Sequence, residues 1–315
     1  MLISQARSRR QHAWQMIAAL ALAAVPAGAG LAASIEPAGE TVSLYLNVEK
    51  NGGLVTGLTH RNFRLYQDGK AQPFRLEKPE EPASIALLVE YSRASGYYYE
   101  DIEAAMLGFL QHAPEGHWYA LATFAHELDV QVDFTQQIGA VTQGFSQLGM
   151  PSWSEIDTYD AVYEMLDKMG RLPGRRILVI VGSGLDTFSE HTFDQVKAKM
   201  ESENVTVFVA GIGSLFRGMY EPYLETSPRL TFLQAQSFLQ TLASKSGGFA
   251  WFPNQVSAFP SVLQGIMQSV ATQYRLVYDT NVRGSGKFHK IKVEAFQIVN
   301  DKREDFKVLV REGWR

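Results

Sequence analysis

The sequence predicts an α/β protein with a doubly wound, mostly parallel sheet, inserted into a small antiparallel β-module built from N- and C-terminal strands. Short apolar segments such as 84–89 (SIALLV) and 177–181 are typical of strands covered on both faces. They alternate with stretches of helical periodicity, which indicates βαβ units. The two ends of the chain contain further strand-like segments without helices between them, and pairing them would bury the apolar faces of both sets.

The first 33 residues have the composition of a signal peptide. Arg7, Arg9 and Arg10 precede a short apolar run at 16–25, and small residues at 27–33 are of the kind found at cleavage sites. The run is shorter than the roughly 20 apolar residues of a membrane-spanning helix. We therefore expect a secreted or periplasmic protein, with an uncleaved membrane anchor as the alternative.

The composition excludes several classes of function. The chain has 315 residues, no cysteine and a formal net charge of −4. The absence of cysteine removes a thiol nucleophile, a zinc–thiolate site and disulfides. Without the three leader arginines the charge is about −7, and an acidic surface without a basic stripe argues against nucleic acid and anionic lipid as partners. No segment after the leader is apolar enough to span a membrane.

The N-terminal strands occupy 34–81. Residues 41–50 alternate apolar and polar side chains, which predicts a half-buried strand. Shorter strands are predicted at 63–66 and 74–76, with a turn at 67–69 between them.

The α/β domain is predicted over 82–272, and the C-terminal strands over 273–315. Segment 128–134 alternates apolar and polar residues and is expected at a sheet edge. The strands predicted in these two parts are 84–89, 118–124, 128–134, 177–181, 205–212, 249–252, 274–278, 289–296 and 306–310. Helices are predicted around 102–110, 162–169, 193–200, 238–242 and 262–270.

Motifs of common enzymes are incomplete. The run 284–287 (GSGK) lacks the upstream glycine of a phosphate-binding loop and is followed by Phe288 instead of a hydroxyl residue. The glycines at 211 and 213 are not followed by the third glycine of a dinucleotide-binding loop, because Phe216 stands there. The seven histidines never have metal-ligand spacing on one helix face. We find no nucleophile–base pair and expect no enzyme.

Several segments become informative when they are taken together in order. They include 55–70 (VTGLTHRNFRLYQDGK), 159–166 (YDAVYEML), 182–189 (GSGLDTFS), 230–253 (LTFLQAQSFLQTLASKSGGFAWFP) and 273–293 (QYRLVYDTNVRGSGKFHKIKV). This ordered set resembles the von Willebrand factor A-related family common in acidobacterial proteomes, over nearly the whole chain after the leader. The Phe-Leu-Gln-Ala helix that ends in Ser-Gly-Gly, followed by the Gln-Tyr-Arg-Leu strand, is its most specific part.

The resemblance implies a von Willebrand factor A-like, Rossmann-like domain with a metal-ion-dependent adhesion site. That site has an Asp-x-Ser-x-Ser loop, a Thr from a second loop and a later Asp, and its ion leaves one position open for a ligand carboxylate. In this chain the first Asp is Glu90, the first Ser is Ser92, and the second is Ala94. The Thr position is Ile156, and the later Asp is Ser183. We therefore expect a degenerate site and no cofactor.

The alternative is a metal-dependent adhesin whose unconventional site binds Mg²⁺ or Mn²⁺. The oxygen ligands that remain for such an ion are Glu90, Ser92, Asp157, Ser183 and Asp186.

Aromatic residues and an arginine are concentrated in the loops that follow the predicted parallel strands, where ligands of open α/β sheets bind. These residues are Tyr91, Arg93, Tyr97, Tyr98, Tyr99, Trp153, Phe188 and Tyr220, with Phe216, Met219 and Tyr223 close to Tyr220. Aromatics and arginine are enriched at protein-binding hot spots. Each aromatic could instead cap the sheet, but Tyr97, Tyr98 and Tyr99 cannot all point inward at the start of a helix.

The sequence thus favours an exported, non-enzymatic interaction or adhesion module that binds a protein, or a glycan, at the cell envelope through this aromatic face. A structural component of an envelope assembly is a further alternative. A hydrolase would require Ser92 or Ser183 beside a histidine. The ligand and the oligomeric state are left open.

Overall fold

The computed structural model describes residues 40–79, 82–220, 226–282 and 286–315, with the side chains of 217–229 excepted. The leader at 1–33 lies outside the described residues, so export stays a prediction. Within the described ranges, no helix combines the length and the apolar character needed to cross a bilayer.

The elements agree closely with the predicted segments. The N-terminal strands are β1 (Glu40–Lys50), β2 (Gly53–Leu54), β3 (Phe63–Gln67), β4 (Lys70–Gln72) and β5 (Arg75–Glu77). The middle of the chain contains β6 (Ser84–Glu90), α1 (Tyr99–Gln111), β7 (Trp118–Phe124), β8 (Leu128–Thr135), α2 (Ile138–Ser146), α3 (Thr158–Gly170), β9 (Arg176–Gly182), α4 (Phe193–Ser202), β10 (Val205–Gly211), α5 (Gly213–Tyr220), α6 (Thr226–Ser246), β11 (Ala250–Trp251) and α7 (Phe259–Ala271). The C-terminal strands are β12 (Tyr274–Thr280), β13 (His289–Val299), β14 (Lys302–Val310) and β15 (Gly313–Trp314).

The middle of the chain forms a mostly parallel sheet with the strand order β11-β10-β9-β6-β7-β8. Neighbouring strands are parallel except β8, which is antiparallel to β7 at the edge. The apolar strands β6, β9 and β10 occupy inner positions of this sheet. Their side chains are buried on both sides because helices cover both faces of the sheet. Helices α1, α2 and α7 pack on one face, and α3, α4 and α6 pack on the other. The predicted α/β class and the edge position of 128–134 are confirmed.

The remaining strands form an antiparallel sheet with the order β4-β3-β13-β14-β1-β12-β5. The first part of β1 pairs with β12, from Glu40 opposite Thr280 to Leu46 opposite Tyr274. Its second part pairs with β14, beginning at Leu46 opposite Val310. The alternation along 41–50 places Leu44 and Leu46 in the buried core of this sheet. Residues Gly39–Arg315 form one compact unit that contains both sheets.

Some local elements differ from the prediction. The turn at 67–69 leads into β4, whereas β5 pairs with β12 at the opposite edge of the antiparallel sheet. Asp68 and Gly69 both have positive φ, as a tight two-residue hairpin requires. Helix α2 was not predicted, because two glycines interrupt it and only Val141 and Phe145 are buried.

Candidate functional site

The candidate site lies where β6 and β9 end at the same edge of the parallel sheet. The two strands are paired in register up to Val89 opposite Val181. Because they are parallel, the loops that follow them start side by side. This brings Glu90, at the end of β6, next to Ser183, directly after β9.

Glu90 is buried, and the surrounding protein occupies both of its carboxylate oxygens. The backbone amide and the hydroxyl of Ser183 each donate a hydrogen bond of 2.6 Å to Oε2. The hydroxyl of Ser92 donates to Oε1 at 2.9 Å. Burial raises the pKa of Glu90, while the bonds from Ser183 and Ser92 partly oppose that rise. The additional methylene of glutamate thus extends its carboxylate from β6 to the loop after β9.

The loop after β6 is closed on itself by a serine that the sequence did not single out. The hydroxyl of Ser95 donates to the carbonyl of Ser92 at 2.7 Å and accepts from the amide of Ser92 at 3.1 Å. The Ser-x-x-Ser spacing is the signal that could have identified this turn, since serine hydroxyls often bond nearby backbone. The hydroxyl of Ser92 is consequently held toward Glu90.

Asp157 connects three loops of the same edge. It is buried directly before α3, and its Oδ1 accepts from the hydroxyl of Thr187 at 3.2 Å and from the amide of Phe188 at 3.1 Å. Its Oδ2 lies 3.0 Å from Nδ1 of His126, in the loop between β7 and β8. His126 and Thr187 were not predicted. Asp157 therefore acts as a structural acceptor that fixes these loops.

Asp186 has a similar role. Its Oδ1 accepts from the amide of Tyr159, in the first turn of α3, at 3.0 Å and from the hydroxyl of Ser189 at 2.6 Å. Burial raises the pKa of Asp186, and the nearby carboxylates of Asp157 and Asp160 add to the rise.

This arrangement does not fit a Mg²⁺ or Mn²⁺ ion. Such an ion needs several oxygen atoms with free lone pairs directed at one point in nearly octahedral geometry. Here the oxygens of Glu90, Asp157 and Asp186 accept hydrogen bonds from amides, hydroxyls and a histidine. In the part of the chain that the structure describes, no three His, Asp or Glu side chains are grouped so that they could hold a metal ion.

Part of the predicted aromatic set is exposed in the loops around this site. Tyr97 is 68%, Trp153 54% and Phe188 74% exposed. Arg93 is also exposed, and its amide donates to the carbonyl of Trp153 at 2.7 Å. Met150, which was not predicted, lies three residues before Trp153 and is 81% exposed.

Other members of the set turn toward the protein. Tyr98 stacks on buried Phe216 at 5.8 Å between ring centroids, and its hydroxyl donates to the carbonyl of Leu215. Tyr91 and Tyr99 are half-buried and meet edge to face at 5.4 Å. Burial raises the pKa of both tyrosines. The side chains of Met219 and Tyr220, and all of Tyr223, lie outside the described residues.

Comparisons with known proteins give similarities in structure only. No protein-family model matches the chain, and no curated protein matches it. Similar solved structures include an aerotolerance-related membrane protein from Bacteroides fragilis, with 12% identity over 60% of this chain and 98% of that one and a TM-score of 0.46. A von Willebrand factor type A protein from Catenulispora acidiphila has 10% identity over 88% of this chain and 75% of that one, with a TM-score of 0.47.

A third similar structure is proximal thread matrix protein 1 from the mussel byssus with a zinc-occupied MIDAS motif, at 12% identity over 61% of this chain and 49% of that one, with a TM-score of 0.45. The von Willebrand factor A type that the sequence motifs indicate is thus among the structures similar to this chain. At these identities and TM-scores, the activities of those proteins do not transfer to it.

Proposed function

We propose that this protein is an exported, non-enzymatic interaction module of the adhesion type, which binds a protein partner through exposed aromatic side chains and without a metal ion. The binding surface is the loop face, defined as the loops that follow β6, β7 and β9 together with 147–157 before α3. The observation that carries the proposal is that Tyr97, Trp153 and Phe188 are each more than half exposed there.

The exposed aromatics support a protein partner. Large aromatic side chains contribute much of the apolar area that a protein interface buries. Tyrosine, tryptophan and arginine dominate binding hot spots. On the loop face, the backbone amide of Arg93 donates to the carbonyl of Trp153. This hydrogen bond links the two loops, so an arginine and a tryptophan lie next to each other on this face.

The state of Glu90 supports binding without a metal. In the site that the sequence resembles, an ion presents an open position to the ligand. Here Ser92 and Ser183 donate hydrogen bonds to the carboxylate of Glu90. These bonds take the place of the contact that the carboxylate would make with an ion. Recognition by the loop face then depends on side chains rather than on coordination.

The same contacts support a non-enzymatic role. A serine nucleophile must reach the substrate and needs a base that accepts its proton. The hydroxyls of Ser92 and Ser183 are buried, and both donate to Glu90 instead of a histidine.

For the organisation of the chain, we propose that the α/β domain at 82–272 is inserted into a β-module built from 34–81 and 273–315. The pairing of β1 with β12 and β14 supports this arrangement. The composition of the first 33 residues supports export.

The test compares three forms of the protein as bait for an envelope extract of the source organism. The face variant combines Tyr97→Ser, Trp153→Ser and Phe188→Ser. The matched control combines Ile298→Ser and Val299→Ser, which removes exposed apolar side chains from β13 in the antiparallel sheet. We expect a protein that wild type and control retain in EDTA and that the face variant loses.

Three results would contradict the proposal: the face variant retains the same proteins as wild type, no form retains any protein, or EDTA releases the bound protein. The last result would favour the metal-dependent adhesin.

A further inference from the structure

A cleft of about 300 Å³ opens on the loop face beside Tyr91, the residue that follows Glu90. Its walls are the end of β7, the first residues of β8 and the segment 147–153. Phe124, the last residue of β7, is paired with Glu90 and accepts a hydrogen bond from the amide of Tyr91 at 2.7 Å. The volume is at the lower end of the roughly 300–1,000 Å³ range of ligand pockets.

Aromatic side chains line the cleft. They include Tyr91 and Trp153, and the thioether side chain of Met150 belongs to the lining as well. The Trp153 ring packs on His126 with 5.4 Å between the ring centroids. Nδ1 of His126 in turn contacts Oδ2 of Asp157. Trp153 is therefore positioned by the buried loop network while half of its side chain remains exposed.

Two carboxylates and the imidazole of His126, which lies beside Asp157, line the cleft. Glu127 and Asp129 line it, and neither forms an ion pair with any residue in the described ranges. Asp129 is held by a 2.8 Å hydrogen bond from the Gln131 amide, which also bonds Thr123. Among the described residues that line the cleft, none is Lys or Arg. Arg93 contacts the backbone of Trp153 but does not line the cleft.

Carboxylates next to an aromatic ring form an environment for a cation. A Lys or Arg side chain gains charge-assisted hydrogen bonds from the carboxylates and an electrostatic attraction to the ring. A carboxylate ligand would instead be repelled, because like charges placed together at an interface weaken binding.

We infer that this cleft receives a basic side chain, Lys or Arg, of the protein partner. The inference rests on the proposed function and specifies its partner. The ligand charge is opposite to that of the metal-ion-dependent adhesion site that the sequence resembles. That site binds an acidic ligand, because a carboxylate of the ligand coordinates its metal ion. In the cleft of this chain, the charges that would meet the ligand are the protein's own carboxylates, Glu127 and Asp129.

The test titrates the purified protein with the capped peptides Ac-Gly-Lys-Gly-NH₂ and Ac-Gly-Arg-Gly-NH₂ and follows the indole N–H signal of Trp153 by NMR. The same peptides with Gln or Glu in the centre are the ligand controls. The cleft variant is Glu127→Gln/Asp129→Asn. The control variant Glu115→Gln/Asp301→Asn removes the same charge from exposed positions outside the cleft.

We expect saturable shifts with the Lys and Arg peptides, with dissociation constants in the millimolar range that rise with NaCl concentration. The cleft variant should bind about tenfold more weakly, whereas the control variant should bind like wild type. Absence of a saturable shift with either basic peptide, or an equal shift with the Glu peptide, would overturn the inference.

A second arm separates this inference from the proposed function. The cleft variant is used as bait under the conditions of the face variant. Loss of the bound protein from both variants supports the interaction module as well as the basic ligand of the cleft. Loss from the face variant but full retention by the cleft variant leaves the interaction module in place and overturns the basic ligand.

Discussion

Ser183 donates two hydrogen bonds to Oε2 of Glu90, one from its backbone amide and one from its hydroxyl, and both are 2.6 Å long. The resemblance places an aspartate at each of these two positions. In this chain one of these positions holds the longer carboxylate of Glu90, and the other holds Ser183, whose hydroxyl is a donor. Each of the two side chains is thus the hydrogen-bond partner of the other. The two residues complement each other, since the carboxylate of Glu90 accepts both hydrogen bonds that Ser183 donates.

Glu90 should make stability depend on pH. Burial raises its pKa above the value of 4.5 for an exposed glutamate, so the folded protein binds this proton more tightly than the unfolded chain does. The resulting stabilisation is full below pH 4.5 and is lost as the pH rises through the raised pKa. In Glu90→Gln this contribution is absent. We expect the melting temperature of wild type to fall relative to the variant as the pH increases from 4.5 to 8.

The measurement is thermal unfolding of both proteins across this pH range, and the difference between them isolates Glu90 because all other carboxylates are shared. Each unit of raised pKa corresponds to about 1.4 kcal/mol of pH-dependent stability. A constant difference at all pH values would show that Glu90 titrates normally.

Divalent cations should not stabilise the protein. An ion bound at a hundred times its dissociation constant adds about 2.7 kcal/mol to the free energy of unfolding. For a chain of this length that corresponds to very roughly 5–10 °C. We expect the melting temperature with Mg²⁺, Mn²⁺ or Ca²⁺ to match the value in EDTA. A rise that Ser92→Ala abolishes would contradict this expectation and revive the metal site.

Replacing Asp157 should loosen the loop that carries Phe188. Asp157→Ala leaves the amide of Phe188 without its acceptor and removes one of the two acceptors of the Thr187 hydroxyl, the other being the carbonyl of Ile156, at a cost of about 1–3 kcal/mol. Asp157→Asn keeps an acceptor oxygen and should lose less stability. Urea unfolding measures both variants.

The control for Asp157 is Asp305→Ala. Asp305 forms an exposed ion pair with Arg303, and such pairs contribute about 0–1 kcal/mol. Equal losses in Asp157→Ala and Asp305→Ala would show that the Asp157 bonds are unimportant.

The fold was largely predictable because its signals are local. Segments 84–89 and 177–181 are apolar throughout, and such segments lie inside parallel sheets. Helix α2 was missed because only Val141 and Phe145 carry its apolar period and two glycines interrupt it. The pairing of β5 with β12 could not be read locally either, since its partners are about two hundred residues apart in the chain.

The candidate site was predictable only in part. Motif alignment identified Glu90, Ser92 and Ser183, but not that they bond one another. The His126–Asp157 contact joins residues 31 positions apart through two loops without periodic structure. The orientation of Tyr98 toward Phe216 likewise depends on a short 3₁₀ turn, in which side-chain directions do not follow the α-helical period.

The Ser-Gly-Gly segment after α6 should not tolerate a side chain at its last position. A Cβ on Gly248 would lie 2.0 Å from the carbonyl oxygen of Val207 in β10, and backbone cannot move aside as a flexible side chain can. Ser246 fixes this approach, because its hydroxyl accepts from the amide of Val207 at 2.9 Å. Gly248→Ala should therefore cost about 1–3 kcal/mol or more through overpacking.

Gly108→Ala is the matched control, since Gly108 lies in α1 with open space at its Cβ, and it should stabilise the protein by about 0.5–1 kcal/mol. Urea unfolding of the two variants should thus give shifts of opposite sign, and a harmless Gly248→Ala would mean that α6 does not pack this closely on β10.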